Sequence, residues 1–391
     1  MEVRLAAATP TAGDDAVVRI LIAIELSKKS WIVGANTPLK AKISQFQLAA
    51  GDWKALLELI ERLRRQVARE LGRPVLEIEA ISCYEAGYDG FWLHHLLEAH
   101  GVHNHVLDPA SLLVNRRAKS AKTDGIDVER MQRALGRHLR GEPDACSIVR
   151  VPSVEEEDAK RLHRERKRLV QERVQHVNRI KGLCALHGIY DYQPLRTNRK
   201  AQLGGLRTGD GRPLPPRLKA ELLRELQRLE LVLQMIADVE AERDAIVKEA
   251  APQHPNADKI KTLAALSSIG PEFATRLVGE VFYRSFTNRR QLASFAGIAP
   301  SPWSSGSIER DQGISKSGSS MVRTTLIELA WMWLRYQPGS ALSTWFRERI
   351  GDGKGRVRRI AIVALARKLL VALWRYIETG LVPTGAVFKA R

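Results

Sequence analysis

Residues 17–24 read VVRILIAI, a short apolar run rich in β-branched side chains and broken only by Arg19. Its length and composition are those of a buried strand. Working outward, a second strand is expected at Trp31–Val33 after a short connection. The segment GDWKALLELIERLRRQVAREL (51–71) places apolar residues at helical spacing with a basic opposite face. Residues 75–83 (VLEIEAISC) alternate in their first half as a strand does, 89–100 are expected to be helical, His105–Leu107 is a short strand candidate, and 126–138 form another helix. Strands alternating with helices predict an α/β domain over 17–150, built on a central sheet.

The chain then changes character. Residues 154–187 are dominated by charge, with a sparse apolar stripe of Leu162, Leu169, Val170, Val174, Val177 and Ile180. Residues 217–247 repeat this with Leu218, Leu222, Leu226, Leu229, Leu233, Ile236 and Val239. Spacings of three and four predict helices of coiled-coil type, and a pair joined by a Gly-, Pro- and Arg-rich loop at 196–216 predicts a long antiparallel helical hairpin over 151–254, holding protomers or domains together. From 255 to 391 the chain is expected to be mostly α-helical: a turn and helix at 266–281, and further helices at 321–336 and 357–378 separated by GDGKGRVRR (351–359).

Composition narrows the function. No apolar run reaches the roughly 18–20 residues of a membrane span, and the acidic start at Asp14 and Asp15 is unlike a signal peptide. Three cysteines without paired spacing exclude a disulfide framework and a zinc ribbon, and fit a reducing cytoplasm. Net charge is +18, which favours a polyanionic partner, nucleic acid first. Residues 251–391 carry 21 Lys+Arg against 9 Asp+Glu, whereas 1–150 carry 21 against 19. The basic surface is therefore C-terminal, and the first domain keeps its carboxylates.

Among those carboxylates, Asp124 and Asp127 lie three apart on one helix face. Either a cation lies between them, or Asp124 caps a helix beginning at Gly125 and Asp127 sits in its first turn. Glu25 closes the first strand and Glu85 follows the strand at 75–83, with Glu77 and Glu79 as rivals for that role. If both strands belong to one parallel-type sheet, their ends can converge on the Asp124/Asp127 helix. Four carboxylates would then hold two Mg²⁺ or Mn²⁺ ions, hard cations that prefer oxygen donors and that activate the attacking oxygen and stabilise the leaving oxygen at phosphorus.

The segment FAGIAPSPWSSGSIERDQGISKSGSSMVR (295–323) is rich in Ser and Gly and is expected to be a loop. Small residues let a phosphodiester approach the backbone. Ser305 and Ser307 flank Gly306, and an activated serine can attack phosphorus and form a covalent intermediate. Lys316 and Arg323 are placed to bind the phosphate; the competing reading is an ordinary surface loop. Upstream, Ser268-Ile269-Gly270-Pro271 resembles the turn of a helix-hairpin-helix element, whose backbone N–H groups bind DNA phosphate without reading sequence.

In order and spacing, IAIELSKKSW (22–31), CYEAGYDGFWLHHLL (83–97), AKTDGIDVERM (121–131), LSSIGPEFA (266–274), QLASFAGIAPSPWSSGS (291–307), SKSG (315–318) and the late GKGRV-to-RKLL helix resemble the insertion-sequence one-ten transposases, a family that includes the pilin-inversion recombinases. The resemblance spans about 17–385. It implies a RuvC/RNase H-like N-terminal domain with an Asp-Glu-Asp-Asp metal site, here Glu25, Glu85, Asp124 and Asp127, and a C-terminal serine transposase domain with Ser307 as nucleophile and Ser305 as its rival. It further implies Mg²⁺-dependent strand cleavage, a covalent serine–DNA link, a homo-oligomer (dimer or tetramer) with composite sites, and a structured guide RNA from the element, recognised largely by shape. This chain departs from the family at Glu25, where the family usually has aspartate, and in the longer 196–216 connection. The other readings to be tested are a metal-dependent junction-resolving nuclease without a serine nucleophile, and an inactive nucleic-acid-binding relic.

Overall fold

The computed structural model describes residues 17–112, 124–142, 145–249, 256–305 and 308–389. The chain forms two compact units, Met1–Val151 and Pro152–Arg391.

The first unit holds a five-stranded mixed sheet. Its strands are β1 (Val18–Glu25), β2 (Ser30–Asn36), β3 (Ser44–Ala49), β4 (Ile78–Glu85) and β5 (His103–Leu107), ordered β3-β2-β1-β4-β5. β1, β4 and β5 run parallel, and β2 is antiparallel to both its neighbours. The strands that end in Glu25 and Glu85 thus share one parallel pairing, as the convergence of their ends requires, and the antiparallel β2 makes the sheet as a whole mixed. Only residues 26–29 join β1 to β2, and a link that short can make only a hairpin, since a parallel crossover needs a dozen or more residues. Ser27 tightens that turn, its hydroxyl donating to the Ser30 carbonyl at 2.6 Å. The expected strand at 75–83 also shifts: residues 75–77 after Pro74 form a 3₁₀ turn, and pairing starts at Ile78. β3 was not foreseen.

Strand alternation divides the unit into two apolar layers. Ile20, Ile22, Ile24, Ala80 and Tyr84 pack with α1 (Trp53–Leu71) and α2 (Trp92–Ala99) through Leu56, Ile60, Leu63, Leu93 and Leu97. α1 is defined at both ends, by Asp52 accepting from the Ala55 N–H and by Gly72 in the left-handed conformation. On the opposite face Ala23, Ile81, Cys83 and Leu107 pack under Val128, Met131, Ala134 and Leu135 of α3 (Asp124–Leu139). Gln132 ties α3 to the sheet by donating to the carbonyls of Leu21 (2.7 Å) and Gly34 (3.2 Å).

In the second unit a capping box of Ser153 and Glu156 starts α4 (Val154–Asp158), followed by α5 (Arg161–Ala185), α6 (Arg199–Gly205) and the long α7 (Pro216–Glu249). The helix α6 lies inside 196–216, so that segment is not wholly a loop. Ion pairs give the direction of packing. Arg166 meets Glu240, His176 meets Glu225 and Arg179 meets Glu221. One index rises as the other falls, so α5 and α7 are antiparallel. Their seam buries Ile180, Leu222, Leu226 and Leu229 at one end and Leu169, Val232, Ile236 and Val239 at the other.

Beyond it come α8 (Ala257–Ala264), α9 (Pro271–Leu277) continuing into one π-helical turn (Val278–Phe282), α10 (Arg289–Phe295), β6 (Pro300–Ser305), β7 (Ile308–Ile314), α11 (Ser320–Tyr336), α12 (Ala341–Ile350) and α13 (Arg356–Thr379). The Ser/Gly-rich segment is thus no loop: β6 and β7 form an antiparallel hairpin, with Ser305 opposite Ile308. α12 too was missed by the sequence reading. Leu326, Leu329, Trp333, Leu365, Leu369 and Leu373 centre the core of this region.

α5 is fastened to the π turn. Glu280 accepts from His163 Nε2 and Arg164 Nε, each at 2.7 Å. Burial resists ionisation of this carboxyl, but the two hydrogen bonds and the neighbouring charges outweigh it and hold its pKa at about 2. A depressed carboxyl adds stability above its ordinary 4.5 and loses it as pH falls toward 2. The melting midpoint of the wild type should therefore fall more between pH 5 and pH 3 than that of Glu280→Gln; equal falls would show that this contact carries no such linkage.

All three cysteines are free, and burial raises the pKa of each of Cys83, Cys146 and Cys184.

Candidate active site

Two neighbouring interior strands end in acids at the same end of the sheet. Glu25 is the last residue of β1 and Glu85 the last of β4. The parallel register runs from Val18↔Ile78 to Ile24↔Tyr84, so Glu25 and Glu85 are the next pair along and lie side by side on neighbouring strands. By alternation both belong to the face that carries Ala23 and Cys83, the face α3 covers. The rivals sit elsewhere. Glu79 is near the other end of β4, bonded to Arg19 at 2.8 Å, and Glu77 lies in the 3₁₀ turn beside Arg73.

α3 brings the aspartates to that face. It begins at Asp124, one residue before the expected Gly125 start, and the Asp124 side chain lies outside the described residues. Asp127 is 8% exposed and is met by Arg130 Nη1 at 2.9 Å. The following residue, Val128, rests on Gly34, whose strand partner Ala23 is two residues before Glu25. Among the described residues, no three His, Cys, Asp or Glu side chains are gathered closely enough to hold a metal ion. The donors present are carboxylates, the type hard divalent cations prefer.

The sequence reading passed over two neighbours of these strand ends. Lys28, in the β1–β2 turn, places its ammonium 4.6 Å from the centre of the Tyr88 ring, three residues beyond Glu85. Tyr88 is 86% exposed. An aromatic in the Gly-flanked stretch after an acidic strand end was the available signal.

In the second unit, Ser305 ends β6, while Gly306 and Ser307 lie outside the described residues. Lys316 and Arg323 do come together. The Lys316 N–H donates to the Gly297 carbonyl at 3.2 Å, and Arg323 Nη1 donates to the Lys316 carbonyl at 3.3 Å. Lys316 holds φ +57°, unusual for a lysine, and its side chain is exposed. Gly270 is the N-cap of α9, while Ser268 is buried and its hydroxyl has no partner among the described residues.

The class of protein, a transposase, an enzyme that acts on DNA, comes from comparison with known proteins. The same comparison gives the particular kind. A model described as Transposase IS116/IS110/IS902 family matches residues 260–344. The chain is 49% identical over 379 residues to a protein of Sinorhizobium fredii described as "Putative transposase y4rJ", covering 95% of this chain and 94% of that protein. It is 28% identical over 285 residues to the transposase for insertion sequence element IS1111A of Coxiella burnetii (70% and 71% covered), and 25% identical over 268 residues to that for IS1328 of Yersinia enterocolitica (68% and 74%). The chain belongs to the IS116/IS110/IS902 family of insertion-sequence transposases. No helix among the described residues is long and apolar enough to cross a membrane.

Proposed function

We propose that this transposase cuts and rejoins DNA through a RuvC/RNase H-like metal site at Glu25, Glu85, Asp124 and Asp127 and a serine nucleophile, Ser307. The observation that carries the reading is the register that puts Glu25 and Glu85 side by side under the helix bearing the two aspartates. Mg²⁺ held by these carboxylates supplies charge neutralisation at the reacting phosphate. The Ser307 oxygen bonds to phosphorus as the bond to the departing strand's oxygen breaks; the serine proton passes to a base and the departing oxygen takes one up. Lys316, Arg323, Ser305, Gly306 and Gly270 belong to the surface that positions the phosphodiester, whereas Ser268, buried in the turn before α9, does not reach it. A structured guide RNA, a dimer or tetramer, and a coiled coil formed by α5 and α7 complete the proposal.

Arg130 favours a second reading. With Asp127 held by an arginine and glutamate at position 25 in place of the family's usual aspartate, the chain would be a binding-only relic. Covalent trapping separates the two. Full-length protein is mixed with Mg²⁺, DNA carrying the element's junction and RNA transcribed from its flanking non-coding region, and a detergent-stable adduct is read. An adduct lost in both Ser307→Ala and Asp124→Ala is the expected result. Loss in Ser305→Ala alone would move the nucleophile. Strand cleavage surviving Ser307→Ala would make the chain a metal-only nuclease. No adduct in the wild type, with one appearing in Glu25→Asp, would establish the relic.

A further inference from the structure

The residues assigned above leave a cationic stretch near the C-terminus unused. Residues 354–360, KGRVRRI, are all exposed, although five of them belong to α13. Val357 is 47% and Ile360 58% exposed, bare aliphatics at the start of a helix whose later turns bury Leu365, Leu369 and Leu373. Lys354, Arg356, Arg358 and Arg359 form no ion pair among the described residues. Arg358 instead lies over the Trp331 ring at 4.9 Å. The approach is a fixed turn. Gly351 has φ +46°, and a Cβ on Gly353 would fall 2.7 Å from the Ile350 carbonyl oxygen, so α12 ends and α13 starts out at a set angle.

We infer that residues 354–360 are a docking surface for duplex DNA, engaged through its phosphodiester backbone. Four unpaired cations within six residues call for a polyanion, in a region that carries 21 Lys+Arg against 9 Asp+Glu. Arg356, Arg359 and Ile360 share one helix face (i, i+3, i+4), which sets two guanidinium groups around an aliphatic contact for sugar or base edges. A helix about 10–12 Å across enters the B-form major groove of about 12 Å, whereas the A-form major groove is too deep and narrow to be read by side chains. This surface lies outside the serine hairpin. It rests on the transposase reading only in requiring DNA as the partner.

The test is equilibrium binding of the full-length protein, without Mg²⁺, to a 30-base-pair DNA of arbitrary sequence across a salt series. In the triple variant Lys354→Ala, Arg356→Ala, Arg359→Ala, the slope of log affinity against log salt should flatten by about 2–3, with affinity at about 0.1 M salt falling tenfold or more. Thermal melting should be nearly unchanged, because the three side chains are exposed. An unaltered slope would overturn the inference, as would an equal loss for duplex RNA. A change in oligomeric state in Val357→Ser, Ile360→Ser with DNA binding intact would assign the surface to a second copy and overturn it too. Because nothing is cleaved in this assay, failure of the Ser307 chemistry leaves its outcome untouched.

Discussion

Gly318→Ala is expected to lower the stability of the second unit by about 3 kcal/mol or more and to abolish the covalent adduct. A Cβ at 318 would stand 2.1 Å from the Phe295 carbonyl oxygen and 2.5 Å from the Gly297 nitrogen. Both are backbone atoms, so no side-chain rotation relieves the clash. Gly297 faces it with φ +65°, and a Cβ there would meet the Gly318 nitrogen at 2.9 Å. Two glycines back to back let the strand leaving the hairpin close onto the end of α10. The Ser319 N–H donates to Phe295 O at 3.1 Å and the Ser315 N–H to Ala299 O at 2.9 Å. This seam also sets Lys316 and Arg323. Against a total stability of about 5–15 kcal/mol, a melting midpoint lower by about 6–12 °C should be seen. Gly339→Ala is the control, since its added carbon meets nothing within 4 Å. A Gly318→Ala protein melting with the wild type would refute the steric argument.

The second large effect lies in the first unit. A Cβ at Gly34 would lie 2.2 Å from Val128 Cγ1 and 3.3 Å from Ile43 Cγ2. Valine is stiff at χ1 in a helix, so the strain goes into lifting α3 from the sheet. That loosens the two hydrogen bonds from Gln132 and displaces Asp124 and Asp127. Gly34→Ala should therefore cost about 1–3 kcal/mol and lose most strand cleavage, a larger effect than its stability loss predicts. Gly34→Ala, Val128→Ala should recover part of both, giving a non-additive cycle of the kind expected for residues in contact. Strict additivity would mean that the two residues do not touch.

The sequence announced most of this fold because burial and periodicity agreed. β1 is covered on both faces, and VVRILIAI is apolar but for Arg19 near its start. Leu56, Leu59, Ile60, Leu63 and Val67 mark α1 at helical spacing. Where the reading failed, the signal was local and weak. In β3, SQFQLA alternates Phe46 and Leu48 with glutamines, the mark of a half-exposed edge strand. In 300–314, abundant Ser, Gly and Pro argued for a loop, whereas the two-residue spacing of Gly306-Ser307 between Ser305 and Ile308 was a hairpin signal. In α12, Ser340 accepts from the Ser343 N–H, a cap visible in the sequence but followed by too few apolar residues to show a period. Of the site, the strand ends Glu25 and Glu85 were legible because strands end where hydrophobic runs end. The ties that set α3 were not, since the bond from Gln132 to Gly34 and the fit of Val128 over the same glycine join positions about a hundred residues apart, and no local pattern encodes them.

The quiet thiols have a practical consequence. Maleimides and alkylating agents react with the thiolate, and burial suppresses that form at Cys83, Cys146 and Cys184. Cys83 and Cys184 are buried, which leaves the half-buried Cys146 as the natural thiol most open to such reagents. With Cys146 replaced, a single cysteine placed at an exposed position such as Ile360 becomes the dominant reactive handle, and its protection or exposure can be followed by footprinting as nucleic acid is added.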